Sequence, residues 1–216
     1  MSWPGPAASA YRDLLHQLDA WFTDVRASHP DIIPCQAGCS ACCHGPFDIS
    51  VADVVLIREG FVRLPPEERS AVLELARRQV HLMTQLEPGW NQSLGITGLT
   101  EEGFDQLGEA MAEEPCPFLD PAGDCRIYDE RPMVCRLIGL GITTPAGRVI
   151  ENSCPIQDQF PAYAALPPMS LDLEALEETE IACLEAASVE LFGTPLWSGF
   201  ETTIALAITG MDSDGE

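Results

Sequence analysis

Apolar residues at Tyr11, Leu14, Leu15, Leu18, Phe22 and Val25 recur three and four apart, with mostly polar residues between them. That stripe predicts an amphipathic helix over residues 8–27. "SHPDIIP" breaks it. In "DISVADVVLIREG" Ser50 stands three positions before Asp53, a capping-box-like helix start, and Gly60 offers a C-terminal stop. "PPEERSAVLELARRQVHLMTQL" predicts a longer helix, with proline in the first turn and acids where the helix dipole favours them.

The pattern then weakens. "EPGWNQSLGITGLTEEG" is a Gly-rich loop leading into a weaker helix through Met111. In "CPFLDPAGDCRIYDERPMVCRLI" two short apolar runs flank the turn formers "DPAGD". This predicts a β-hairpin with Phe118 and Tyr128 in its core, and Pro132 in the first turn of a following helix. "PAYAALPPMS" reads as a linker, "SLDLEALEETEIACLEAASVELFG" as a helix ending at Gly193, and "MDSDGE" as an acidic tail. No period repeats, and strands do not alternate with helices as in a βαβ fold. The predicted fold is mostly α, with one or two small β-hairpins around an irregular cysteine-rich core. Residues 1–30 form an N-terminal amphipathic helix, 31–160 a cysteine-cluster metal-binding domain, and 161–216 a C-terminal helical extension with an acidic tail.

At 216 residues, 46% hydrophobic and 21% charged, the chain is globular. Its net charge of −23 comes from 34 acids against 11 bases, every one of them arginine. Phosphates repel such a surface, so neither nucleic acid nor an anionic membrane is expected as a partner. The N-terminus has no basic stretch followed by an apolar run, and nothing approaches the roughly 18 apolar residues of a membrane span. The expected compartment is cytoplasmic, where thiols stay reduced.

That compartment bears on nine cysteines, an odd number in a chain too long to need disulfide staples. "CQAGCSACC" holds Cys35, Cys39, Cys42 and Cys43 in a C-x3-C-x2-C-C spacing. Wound as a helix, it would turn all four thiols to one side but spread them over about 12 Å of axis. One ion with Zn–S bonds of about 2.3 Å cannot collect both ends. Either the loop coils, as Gly38 and Gly45 permit, or the thiols serve more than one metal atom. A disulfide between the neighbours Cys42 and Cys43 would be strained, because adjacent Cα atoms lie about 3.8 Å apart. A redox dithiol lacks the βαβ context of thioredoxin-like sites. Radical S-adenosylmethionine enzymes share C-x3-C-x2-C, but their usual aromatic residue before the third cysteine is replaced here by Ala41. Cys183 lies inside a strongly helical run beside Ile181 and Leu184, and is read as a buried small hydrophobe.

The first cluster is followed by "CPFLDPAGDCRIYDERPMVCR" and then "NSCP". Together these elements resemble the YkgJ-type cysteine-cluster family, a zinc- or iron-chelating domain. The resemblance runs from Cys35 to about Pro155 and includes Pro117, Phe118, Leu119, Ile127, Tyr128, Arg131, Pro132 and Arg136. It implies eight metal ligands: Cys35, Cys39, Cys42, Cys43, Cys116, Cys125, Cys135 and Cys154. Relatives include flagellin lysine N-methylases, which are longer and associated with an iron–sulfur cluster.

Thiolates suit zinc, iron or an iron–sulfur cluster and disfavour magnesium and calcium. The irregular spacings lack the paired C-x2-C knuckles of structural zinc sites, which leans towards iron–sulfur. Arg126, Arg131 and Arg136 flank Cys125 and Cys135 as candidate donors to sulfur or to a bound anion, with Tyr128 beside them. The competing expectation pairs Arg131 and Arg136 with the local acids Asp129 and Glu130. His44, directly after the cluster, is a candidate substitute ligand. The expected function is a cytoplasmic metal-binding protein with a structural or electron-carrying role. The alternative is a metal- or cluster-dependent enzyme related to the methylases.

Overall fold

The computed structural model describes residues 5–36 and 38–210. The acidic tail predicted at 211–216 lies outside the described residues. In chain order the elements are α1 (Pro6–Ser28), β1 (Asp48–Ser50), α2 (Val51–Arg63), α3 (Pro66–Leu86), α4 (Glu101–Ala110), α5 (Val134–Leu137) and β2 (Ile142–Thr143). They continue with β3 (Val149–Ile150), α6 (Pro161–Ala164), β4 (Met169–Ser170), α7 (Leu173–Phe192), β5 (Glu201–Thr203) and α8 (Ile204–Thr209). The fold is mostly helical with small sheets of two and three strands, as expected.

The apolar stripe of α1 buries Tyr11, Leu14, Leu15 and Leu18 against Ala52 and Leu56 of α2 and Cys183 and Ala187 of α7. Each fully buried leucine contributes about 1.5–3 kcal/mol. Cys183 is thus a core residue. A second core joins Ile57 and Phe61 of α2, Val72 and Ala76 of α3, and Ile204 and Ile208 of α8 to Cys116, Phe118 and Ile127. Helix α2 packs against both α7 and α8 and belongs to both cores.

Caps set the ends of these helices. Ser50 opens α2 with a complete capping box: its hydroxyl accepts from the Asp53 N–H, and the Asp53 carboxylate accepts from the Ser50 N–H. Helix α7 starts on Asp172 and stops at Gly193, whose φ of 72° closes it in the left-handed region. The expected stop at Gly60 is corrected. Helix α2 runs on to Arg63 and ends before Pro65, because Gly60 makes room for a neighbour: a Cβ there would come 2.8 Å from Ile127 Cγ2.

Two further expectations change. The hairpin predicted around "DPAGD" is reduced to a single bridge between Leu119 and Cys125, with the Asp120 N–H donating to Asp124 O. The Asp120 carboxylate accepts from the Ala122 and Asp124 N–H groups and tightens this turn, while Pro117 has no N–H to extend a ladder. A regular hairpin forms instead at β2–β3, and β4 adds to β2 in parallel. Phe118 is core, but Tyr128 begins a 3₁₀ turn and is 62% exposed. The expected linker "PAYAALPPMS" is also structured. It forms α6 and β4 and buries Tyr163, whose hydroxyl donates to Gly139 O.

Candidate metal centre

The first cysteine loop is a series of turns. Gly38 adopts φ 81° and Gly45 φ 98°, and the Cys39 and Cys43 N–H groups donate to Gln36 O and Ser40 O at 2.9 Å. The loop coils, so the 12 Å line of a helical reading does not arise. Its end is stitched to the second cysteine region. The Cys116 N–H donates to Cys43 O and the Gly45 N–H to Glu114 O, both at 2.8 Å, on either side of a His44–Pro115 bridge. His44 is thereby part of the ribbon that sets Cys43 beside Cys116. Gly123 presses onto the loop from the "DPAGD" turn: a Cβ on it would lie 2.9 Å from Gly38 O.

The remaining cysteines are delivered by separate elements. Cys135 sits on α5, after Pro132. Cys154 follows Asn152, whose side-chain carbonyl accepts its N–H at 2.9 Å. Cys35 packs with Cys154, Tyr163 and Ile33 near Gly139. Gly139 has φ 110°, and a Cβ there would stand 3.3 Å from Cys35 Sγ. All nine cysteines are free thiols.

The thiols are coupled electrostatically across the loops. Burial pushes Cys35 up to about 11; the neighbouring Tyr163 hydroxyl opposes this, while Cys154, Cys39 and Cys42 add to it. Cys42 is pushed up by its hydrogen bond with Cys43 and then by burial, against the attraction of Arg131. Burial raises Cys116 to about 12, with a contribution from Cys125. Cys135 is raised by burial and then by Cys116, Asp53, Cys125 and Cys42. Cys125 is raised by burial, and Arg131 and Arg136 are among the groups that oppose it. Cys35 is thus coupled to Cys154, Cys39 and Cys42, and Cys135 to Cys116, Cys125 and Cys42.

Of the flanking arginines, Arg126 turns outward to Glu68 of α3 at 2.7 Å. Arg131 and Arg136 both reach Asp19 of α1, and Glu130 is taken by Arg63. The expected pairing with Asp129 and Glu130 side chains is therefore corrected, since only the main-chain carbonyl of Asp129 is used, by Arg136. Tyr128 lies under Arg131, whose Cζ is 3.9 Å from the ring centroid.

The match of this chain to known families falls on the same region. Residues 34–155, more than half of the chain, match the CxxCxxCC family, described as a "putative zinc- or iron-chelating domain". The chain belongs to this family. Three residues separate Cys35 from Cys39, the last of them Gly38 with φ 81°. No curated protein and no solved structure matches the chain.

The family's metal finds a suitable donor set in this CxxCxxCC protein. The eight cysteines are soft thiol donors free of disulfides, Cys116 and Cys154 buried and the other six partly buried. Among the described residues no group of three or more His, Cys, Asp or Glu side chains is arranged to hold one ion. Sequence reasoning overlooked Asp19, Gly139 and Tyr163. Tyr163 lies beyond the family match, in the stretch read as a linker, and its aromatic character was the only signal available.

Proposed function

We propose that this CxxCxxCC protein is a cytoplasmic metal-binding protein whose eight cysteines, all but Cys183, ligate a centre with two lobes. Cys35, Cys39 and Cys154 serve one lobe, Cys116, Cys125 and Cys135 the other, and Cys42 and Cys43 complete them at the junction. The observation that carries this proposal is the electrostatic coupling of Cys42 to both groups, together with the main-chain bond between Cys43 and Cys116. Thiolates of raised pKa give up their protons to a cation that offers a stronger bond, so metal uptake releases protons. The chemistry of thiolate donors selects zinc or iron, and the absence of paired C-x2-C knuckles favours an iron–sulfur cluster. The role is structural or electron-carrying. Protein purified without oxygen is expected to be brown, with iron and acid-labile sulfide in comparable amounts. A colourless protein with stoichiometric zinc overturns the iron–sulfur assignment and leaves thiolate ligation standing.

A further inference from the structure

A cleft between α2, α3 and α8 contains none of the cysteines. Its volume of about 770 Å³ lies within the range usual for small-molecule sites. Helix α2 contributes Val54 and Arg58, one turn apart. Helix α3 contributes Arg77, Val80, His81 and Thr84 from one face, at spacings of three and four. The buried Thr202 of β5 and Ala207 of α8 also line it, together with Phe200 and Leu206. Part of this wall is held by internal hydrogen bonds: Gln92 Nε2 donates to Thr84 Oγ1 at 2.7 Å, and Gln85 Nε2 lies 3.0 Å from His81 Nε2.

The charge of this cleft runs against that of the chain. Acids outnumber bases 34 to 11, yet no Asp or Glu is found among the described residues that line it. Other arginines are met by carboxylates, Arg63 by Glu130, Arg78 by Glu114 and Arg126 by Glu68. Arg58 instead donates from Nε to Ala207 O at 3.3 Å, and among the described residues it pairs with no carboxylate. That bond brings the guanidinium end beside Gly210, another residue of the cleft: a Cβ there would stand 3.6 Å from Nη2. Holding the carbonyl end of α8 accounts for Arg58 Nε, but not for Arg77 and His81 on α3. Cations of one sign gathered in a cleft with low-dielectric walls focus their field on whatever enters.

We propose that this cleft binds a small organic oxyanion, a phosphate ester or a carboxylate. Arg58, Arg77 and His81 meet the charged group, and Val54, Val80, Leu206 and Phe200 cover the apolar part of the same molecule. A guanidinium fork matches two oxygens of either group, and such charge-assisted bonds are the strong ones. The cleft is lined by no proposed metal ligand, so the inference stands independently of the metal centre.

Phenyl phosphate, benzoate and benzyl alcohol are suitable probes, titrated into the reduced full chain and followed by heteronuclear NMR. Phenyl phosphate or benzoate is expected to shift the Val80, Thr202 and Ala207 amides saturably, and benzyl alcohol is not. A response to one anion alone supports the proposal and fixes which oxyanion the cleft takes. Arg58→Gln and Arg77→Gln are each expected to weaken that binding by about tenfold or more. Arg77 is exposed on α3, so its variant carries the test if Arg58→Gln does not fold. No saturable shift with either anion, equal binding of benzyl alcohol, or unchanged affinity in a folded variant overturns the proposal. The sequence runs on from Gly210 to Asp212, Asp214 and Glu216. Binding that appears only after Asp212→Asn, Asp214→Asn and Glu216→Gln assigns the cleft to the chain's own acids and overturns the small-molecule reading.

Discussion

Asp53 shows how one side chain can join elements that no local pattern connects. It caps α2 through Ser50, accepts the Tyr11 hydroxyl of α1 at 2.9 Å, and accepts the Met133 N–H, just before α5, at 3.2 Å. Burial raises its pKa, against the pull of these same hydrogen bonds. Asp53→Ala leaves the buried Tyr11 and Met133 donors and the part-buried Ser50 N–H without their acceptor and breaks the capping box, a loss of about 3 kcal/mol. Denaturant unfolding of the reduced, metal-free chain is expected to show that loss, with Asp53→Asn losing less. A change below the error of the measurement would contradict the hub role. The capping half of Asp53 is legible in the sequence because Ser50 and Asp53 lie three apart. Its grip on Tyr11 and Met133 is not, because both partners are distant in the chain.

At the scale of elements, legibility follows the range of the forces involved. Helices α1, α3 and α7 announce themselves through periodic apolar faces, acids near their starts or a glycine stop, all local features. Gly60 misleads because a local helix breaker is retained for a tertiary contact with Ile127. The "DPAGD" stretch misleads because turn chemistry is present without the backbone donors that a ladder needs. Residues 161–170 have the composition of a linker, yet Tyr163 is held by Gly139 O and by the hydrophobic group around Cys35 and Cys154. Among the site residues, the cysteines are visible by type and spacing. Which of them are neighbours, and that α1 supplies Asp19, depends on how loops are stitched together.

For the whole molecule, the balance of charge governs stability as pH changes. Glu180 on α7 is pushed up from its ordinary 4.5 to about 7, chiefly by burial and then by repulsion from Asp53, Glu177 and Glu201. Between those values the folded chain binds more protons than the unfolded chain, so this group favours folding most below its unfolded pKa. Its contribution is lost as pH rises towards 7 and is flat above. Glu180→Gln is expected to flatten that decline and to raise stability at pH 8 by about 1 kcal/mol, a figure reduced for the partial exposure of the side chain. Parallel slopes for the two proteins in unfolding experiments between pH 5 and 8, as values of about the range in which Glu180 titrates, would contradict the assignment. On the proposed eight-cysteine centre, metal binding acts on the same whole-molecule balance, since it would favour the folded state that assembles cysteines from five separate stretches of chain. Native mass spectrometry of the anaerobically purified protein tests that assembly most directly. A metal-bearing mass is expected for the wild type and for Cys183→Ser, and its loss or marked depletion for Cys42→Ser and Cys135→Ser. A wild-type chain that stays metal-free after supply of zinc, or of iron and sulfide, would contradict the account, as would equal metal loss in all three variants.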